Sequence, residues 1–200
     1  MNREVFINCP FDDGYSDIFE AILFAIYFCG CKPRCALEVD DGSQVRLDKI
    51  YDIIEECDLG IHDISRTELN GNGLPRFNMP FEFGLFMGAK RFGGKKQKTK
   101  SCLIFDRDRF RYMEFISDIS GQDIKSHEND VEQVIRKIRS WLNTFGILQP
   151  LPGATAIIEK YRAYKRDLPN ILHHLKLREE DVEYADRTQI IEEWISLNPL

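Results

Sequence analysis

The stretch "LGIHDIS" (residues 59–65) begins as an apolar run and becomes polar at its end. A short apolar run of this kind predicts a buried strand, and the change at Asp63 marks the point where the chain leaves the sheet. The preceding residues 44–58 carry apolar side chains at helical spacing and predict an amphipathic helix. The following "FNMPFEFGLFMGA" (residues 77–89) predicts a helix that is buried nearly all round, with Pro80 in its first turn. Helix, strand and helix in this order predict an α/β fold.

The same alternation of strands and helices extends to both sides of this stretch. Strands are predicted at residues 4–9, 32–39 and 101–106, and helices at residues 16–29, 109–119 and 128–146. This spacing predicts an open, mostly parallel, doubly wound sheet with helices on both faces.

The pattern changes near the C-terminus. From residue 154 onward only helical periodicity remains, and breaks are expected at Pro169 and near Leu177. These breaks predict three short helices. We therefore expect an α/β domain at residues 1–147 and a C-terminal helical extension at residues 154–200.

The composition limits the class of partner. The formal net charge is −6 and the pI is about 5.3, which gives no general attraction for nucleic acid or for an anionic membrane surface. No apolar run is as long as a membrane span. The six cysteines lie mostly in apolar runs, with no signal peptide before them and no metal-site spacing among them. We therefore expect a cytoplasmic protein with free thiols and without a bound metal or cofactor.

Polar residues follow each of the first three predicted strands. The first strand is followed by "PFDDGY", the second by "DDGS", and the third ends in "HDISRT". Ligands of parallel α/β sheets bind outside the carboxyl ends of the strands, so these segments should meet at one crevice. The polar side chains expected there are Asp12, Asp13, Asp40, Asp41, Asp63, Ser65, Arg66 and Glu82, with Phe11 as an aromatic wall.

The chemistry of this crevice favours a nucleotide or nucleoside ligand. The glycine-rich dinucleotide fingerprint, the P-loop and the Gly-x-Ser-x-Gly elbow are all absent from the sequence. An aromatic ring can stack on a base, carboxylates can bind ribose hydroxyls, and arginine can bind phosphate. A carboxylate held against apolar neighbours also suits cleavage of an N-glycosidic bond, because the transition state is a ribose oxocarbenium ion.

Two segments carry a resemblance to known families. The segment "LGIHDIS…NMPFEFGLFMGA" resembles the part of nucleoside 2-deoxyribosyltransferases in which a strand ending in Asp precedes a helix with the catalytic Glu, and "VFINCPF" resembles their opening strand. The segment "DDGSQVRLDKIYDIIEECDLGIHDIS" is similar to bacterial TIR-like domains (Toll/interleukin-1 receptor-like). The resemblance covers residues 4–145, and its sharpest part is residues 63–89.

The resemblance implies a flavodoxin-like sheet, with Glu82 as the catalytic residue. On the TIR-like side it implies hydrolysis of NAD, as substrate, at the nicotinamide–ribose bond, in the service of antiviral defence. It also implies control by assembly, either as a homo-oligomer or with a partner protein of a defence system, and the C-terminal helices are the natural element for this.

The expected site residues have alternative roles. Those expected to bind substrate are Phe11, Asp40, Arg46, Asp63, Ser65, Arg66 and Asn78. Glu82 is either a catalytic acid or a first-turn acid favoured by the helix dipole. Asp63 either contacts the ligand or anchors a loop, and Asn78 either caps the helix or contacts the ligand. His62 should point to the face opposite Asp63, and the sequence shows no paired acid for His127.

Three functions are compatible with these residues. The first is an NAD glycohydrolase that acts as a bacterial antiviral-defence effector. The second is a nucleotide-sensing or scaffold domain without turnover. The third is deoxyribosyl transfer or nucleoside hydrolysis, which differs from the first only in its substrate.

Overall fold

A five-stranded parallel sheet forms the centre of the protein. The computed structural model describes residues 3–38, 41–69, 71–147 and 150–199. The strands are β1 (Glu4–Asn8), β2 (Lys32–Arg34), β3 (Leu59–Asp63), β4 (Ser101–Asp106) and β5 (Ile124–Ser126), in the spatial order β2-β1-β3-β4-β5. All four neighbouring pairs are parallel. This is the flavodoxin-like order, so the predicted fold class is confirmed.

Helices cover both faces of the sheet. In the described residues they are α1 (Ser16–Phe28), α2 (Arg46–Glu56), α3 (Asn78–Phe92), α4 (Val131–Asn143), α5 (Ala154–Leu175) and α6 (Tyr184–Leu197). Strand residues alternate between the faces: Val5 and Ile7 pack with α1 and α4, whereas Phe6 packs with α2 and α3. Gly60 admits the ring of Phe86 from α3, because a Cβ atom at residue 60 would lie 3.0 Å from that ring.

Two strands differ from their predictions. β2 ends at Arg34 rather than at residue 39, because a hydrogen bond from Glu38 N to Cys35 O (3.1 Å) closes a turn. The Arg34 guanidinium holds this turn, with Nε and Nη2 donating to the Glu38 carboxylate (2.8 and 2.7 Å). β5 was not predicted, because its three residues, Ile-Lys-Ser, present no apolar run.

The helices predicted between β4 and the C-terminal extension are shorter in the structure. Residues 109–119 contain two single turns of 3₁₀-helix, Arg111–Glu114 and Ser117–Ile119, in place of one short α-helix. α4 begins at Val131 rather than at residue 128, because Glu128 and Asn129 have φ angles of 56° and 54°, outside the helical region.

The C-terminal extension contains two α-helices and one turn of 3₁₀-helix, Glu179–Asp181, rather than three short helices. The predicted break at Pro169 is wrong, since α5 runs through this residue. Proline removes one helical hydrogen bond. Leu168 and Leu172 on either side of it are buried, so packing holds the helix together. The break near Leu177 is confirmed, and the left-handed Lys176 (φ 60°) ends α5.

The C-terminal helices share one apolar core with the sheet domain. Tyr161, Tyr164 and Trp194 pack around Phe24 of α1, with ring centroids 5.3 to 6.0 Å from that of Phe24. Within this contact, the buried carboxylate of Glu20 accepts hydrogen bonds from three side chains. The donors are Tyr164 Oη (3.1 Å), Lys165 Nζ (2.5 Å) and Arg187 Nη1 (2.7 Å). One acid on α1 therefore holds both C-terminal helices.

Glu20→Gln is expected to lower the free energy of unfolding by about 1 to 3 kcal/mol, since the buried carboxylate that accepts these hydrogen bonds is replaced by a neutral amide. Urea denaturation measures the loss. In the variant, hydrogen exchange should be accelerated more in α5 and α6 than in β1 and β3. Glu159→Gln, an exposed acid on α5, is the matched control. An unchanged unfolding midpoint in Glu20→Gln would contradict this role of Glu20.

Candidate functional site

The crevice predicted by the sequence lies outside the carboxyl ends of β1 and β3. In the order β2-β1-β3-β4-β5, β2 and β3 lie on opposite sides of β1, so the chain crosses over β1 when it passes from β2 to β3. The loops that follow these two strands flank the position at which parallel α/β sheets bind their ligands. Residues 9–15 follow β1, and residues 64–77 connect β3 to α3.

Glu82 is the buried acid of this crevice. Only 9% of its surface is exposed, and it lies on α3 between the buried residues Met79 and Phe86. Burial raises the pKa of the Glu82 carboxyl to about 7, although the guanidinium of Arg46 acts in the opposite direction. No hydrogen bond or ion pair joins this carboxyl to another of the described residues. It is a nearly buried acid with a pKa near neutral pH.

The position of Glu82 in its helix differs from the prediction. α3 begins at Asn78, so Glu82 is the fifth helical residue and lies in the second turn. No acidic residue lies in the first turn of α3. The helix dipole acts mainly on the first turn, so it does not account for an acid at this position.

Cys9 is a buried thiol whose pKa is affected by acids of several segments. Cys9 follows β1 and is almost completely buried. Burial raises the pKa of this thiol well above its usual value, and the nearby charges of Asp63, Cys35, Glu82 and Asp12 raise it further. Acids from three separate segments of the chain therefore all disfavour the charged form of this thiol.

Asp63 ends β3 and is completely enclosed. Tyr15 Oη donates to Asp63 Oδ2 (2.5 Å), Ser65 N donates to Oδ1 (2.8 Å), and His127 Nε2 lies 3.1 Å from Oδ2. Burial raises the pKa of the Asp63 carboxyl, but the contacts with His127, Ser65 and Tyr15 outweigh it and lower the pKa overall. Asp63 has no exposed surface, and its contacts connect three loops.

His127 has an acid partner after all, which corrects the prediction from the sequence. The backbone N–H of Asn129 donates to His127 Nδ1 (3.0 Å), so this nitrogen carries no proton and Nε2 bears the hydrogen that faces Asp63. His62, in contrast, lies on the other face as predicted, with its ring against Phe83 and Phe86 of α3.

A second buried pair fixes the loop after β3. Arg111 binds Asp106 Oδ1 through Nε (2.9 Å) and Nη2 (2.7 Å). Its Nη2 also donates to Ile64 O (3.1 Å) and Ser65 O (2.9 Å), and its Nη1 donates to Thr67 Oγ1 (3.0 Å). These bonds to residues on both sides of Arg66 hold that part of the backbone in place.

The loops on either side of the crevice meet through charges. Arg66 Nη2 lies 3.1 Å from Asp12 Oδ1, and Arg76 Nη1 lies 3.4 Å from Asp12 Oδ2. Arg66 and Asp12 are each about one-third exposed, and Arg76 is half-exposed. Two cations from the loop after β3 thus share one acid from the loop after β1.

A cleft of about 380 Å³ continues from this point towards the C-terminal helices. Its walls include Phe11, Asp12, Phe19, Tyr184 and Arg187. The rings of Phe11 and Phe19 are 5.2 Å apart edge to face, and Phe19 stacks on Tyr184 at 6.3 Å. Phe11 is therefore an exposed wall rather than core, and Glu82 is not part of this cleft.

The remaining predicted residues lie around the crevice with different exposures. Arg46 is exposed at the start of α2 and affects the charge of Glu82. Ser65 is buried, and its backbone N–H donates a hydrogen bond to the Asp63 carboxylate. Asn78 is exposed as the first residue of α3, and the preceding Phe77 stands at the cap position without a side-chain hydrogen bond, so the predicted Asn78 cap is wrong. Asp40 lies outside the described residues.

Searches for other kinds of site and for relatives were negative. Within the described ranges, no three His, Cys, Asp or Glu side chains are grouped to hold a metal ion. Among the helices that the structure describes, none has the length and apolarity needed to cross a membrane. No family model matches the chain, and no curated protein or solved structure matches it either.

The raised pKa of Glu82 predicts a pH-dependent cost to stability. The carboxyl titrates at 4.5 in its ordinary state and at about 7 in the fold, so the fold loses stability as pH rises from 4.5 to 7. Glu82→Gln should therefore raise the free energy of unfolding at pH 8 by about 1 to 2 kcal/mol and leave it nearly unchanged near pH 4.5. Urea denaturation across this range measures the difference, with Glu159→Gln as the control. An equal effect at both pH values would argue against a raised pKa.

Proposed function

We propose that this protein cleaves the N-glycosidic bond of a nucleotide, most specifically the nicotinamide–ribose bond of NAD, with Glu82 at the chemical step. One observation carries the proposal: Glu82 is a buried carboxyl without an ion-pair partner, at the carboxyl-end crevice, with a pKa raised to about 7. An acid that is costly to bury and makes no structural contact is typical of a functional group.

The chemistry requires one carboxylate and one water molecule. The bond from ribose C1′ to the nicotinamide nitrogen breaks, and both electrons leave with nicotinamide, whose ring becomes neutral. The cation that forms at C1′ is stabilised or captured by the Glu82 carboxylate. Water then adds to C1′ and loses a proton to the solvent, which gives nicotinamide and ADP-ribose. No metal ion takes part in these steps.

The surroundings of Glu82 suit this role. Arg46 favours the charged form of the carboxyl and so opposes the effect of burial. A cationic nicotinamide ring beside the carboxyl would favour the charged form further. The enzyme–substrate complex would thus hold the ionised acid that the reaction needs.

The resemblance to TIR-like domains and nucleoside deoxyribosyltransferases supports the same bond type for two substrate classes. On the TIR-like side the substrate is NAD, and the protein is a cytoplasmic defence effector controlled by assembly with its own copies or with a partner protein. On the deoxyribosyltransferase side the substrate is a nucleoside, and the ribosyl group passes to water or to another base. Both branches use Glu82 in the same way.

A nucleotide sensor without turnover is the second candidate, and the enclosure of Asp63 favours it. With this residue engaged by three neighbours, the crevice offers fewer free acids than the sequence predicts. A sensor would bind the nucleotide in the same crevice and release no base.

Incubation of the purified protein with NAD and with a panel of nucleosides, followed by chromatography of the released bases, tests the proposal. We expect nicotinamide release from NAD. Base release from nucleosides alone would assign the deoxyribosyltransferase-like branch. Binding of a nucleotide with no release from any substrate would overturn the proposed reaction and support the sensor.

A further inference from the structure

The two arginines that share Asp12 form an unusual arrangement for a surface ion pair. Arg66 contacts one carboxylate oxygen (3.1 Å) and Arg76 contacts the other (3.4 Å). In the part of the chain that the structure describes, Asp12 is the only acid paired with either guanidinium. Two positive charges therefore face one negative charge, in a chain whose net charge is −6.

Hydrogen bonds from neighbouring residues fix the backbone near Arg66 and Asp12. Arg111 binds the carbonyl oxygens of Ile64 and Ser65, so the backbone that carries Arg66 is fixed. Asp12 O accepts a hydrogen bond from Tyr15 N (2.8 Å), and Tyr15 in turn is bound to Asp63. The backbone positions of Arg66 and Asp12 are therefore set before any ligand binds.

Gly14 makes room for one of these groups. A Cβ atom at residue 14 would lie 2.8 Å from Arg66 Nη2 and 3.4 Å from Asp12 Oδ1. The absence of a side chain thus lets the Arg66 guanidinium approach the loop after β1 closely.

The cluster belongs to the same crevice as Glu82. The charges of Asp12 and Glu82 both raise the pKa of the buried Cys9 thiol. Asp12 also lines the cleft with the aromatic wall of Phe11.

We propose that Arg66 and Arg76 bind the phosphate groups of the nucleotide, and that Asp12 occupies their guanidinium groups until the ligand displaces it. A carboxylate between two guanidinium groups presents the same kind of acceptor oxygens as a phosphate, and a diphosphate offers more of them and more negative charge. This inference rests on the proposed function in taking a nucleotide as the ligand, and it adds Asp12 as a competitor at the site.

Calorimetric binding to the full chain with the Glu82→Gln substitution tests the inference without turnover. The probes are ADP, inorganic pyrophosphate and adenosine at about 50 mM salt, where exposed charges are only partly screened. We expect ADP to bind at least tenfold more tightly than adenosine, because only ADP reaches the arginines with charge-assisted hydrogen bonds. Pyrophosphate should bind more weakly than ADP, because it lacks the nucleoside.

Three substitutions separate the roles within the cluster. Arg66→Gln and Arg76→Gln should each weaken ADP binding about tenfold and leave adenosine unchanged. Asp12→Asn should tighten ADP binding about three- to tenfold, because the competing charge is gone. Arg162→Gln, which removes an exposed arginine paired with Glu132 on α4, changes the net charge equally and should leave ADP binding unchanged.

The inference is overturned if adenosine or pyrophosphate binds as tightly as ADP, if Asp12→Asn does not tighten ADP binding, or if Arg162→Gln weakens it as much as Arg66→Gln does. These outcomes are separate from those of the proposed function. Binding as expected in a protein that releases no base would sustain the phosphate site and reject the reaction. Base release from NAD with a KM unchanged in Arg66→Gln and Arg76→Gln would sustain the proposed reaction and reject the phosphate site.

Discussion

Glu82→Gln is expected to lower kcat for nicotinamide release from NAD by about a thousandfold or more, since the amide cannot stabilise or capture the cation at C1′. Glutamine has nearly the same shape as glutamate, and Glu82 makes no hydrogen bond to another described residue, so the fold should be retained. The loss would then report the charge of the carboxylate rather than a structural defect. Single-turnover release, followed by chromatography, measures it.

Two further variants make this result specific. Glu82→Asp keeps the charge but withdraws it by one methylene, so it should retain part of the activity. Glu159→Gln removes an exposed acid on α5 and should keep the activity of the wild type. Release by Glu82→Gln within tenfold of the wild type would exclude Glu82 from the chemical step.

Asp63→Asn is expected to lower the free energy of unfolding by about 3 kcal/mol, because it breaks a buried network of charged hydrogen bonds. Tyr15 Oη and Ser65 N donate to the two carboxylate oxygens, and His127 Nε2 lies 3.1 Å from Oδ2 without the alignment of a hydrogen bond. An asparagine side chain turns one of these oxygens into a donor, so at least one neighbour loses its acceptor whichever way the amide is placed. Urea denaturation at pH 7 measures the loss.

The pH dependence of this loss follows from the lowered pKa of Asp63. A carboxyl with a lowered pKa stabilises the fold above its ordinary pKa, and this stabilisation disappears as pH falls through the lowered value. The difference between wild type and Asp63→Asn should therefore be full at pH 7 and shrink in acid. Asp123→Asn, an exposed acid beside β5, is the control. A loss below about 1 kcal/mol at pH 7 would be the size of a surface ion pair and would contradict a structural role for Asp63.

The main elements of the fold follow from local sequence patterns. β1, β3 and β4 are apolar runs, and α1, α2 and α4 have apolar side chains at helical spacing, so each was predicted within a few residues of its bounds. β5 could not be predicted, because its three residues are held by hydrogen bonds to β4 rather than by a pattern of their own. The continuity of α5 through Pro169 depends on tertiary packing, which a local rule for proline leaves out.

The candidate site was predictable in part. The position of Glu82 in an apolar helix after β3 identifies it as an unusual acid, and the side chain is buried in the structure. Tyr15 and His127, which contact Asp63, are distant from it in sequence, and His127 follows β5, which the sequence pattern does not predict. The joint contact of Arg66 and Arg76 with Asp12 likewise depends on two loops meeting in space.

The pH dependence of kcat/KM for nicotinamide release from NAD by the wild-type protein tests the central claim most directly. This profile reports the ionisation of groups in the free enzyme that are essential to the reaction. With Glu82 as the catalytic carboxylate, kcat/KM should be level above a pKa of about 7 and should fall tenfold for each pH unit below it. A profile that is flat from pH 5 to pH 9, or one that falls only below pH 5, would contradict the account.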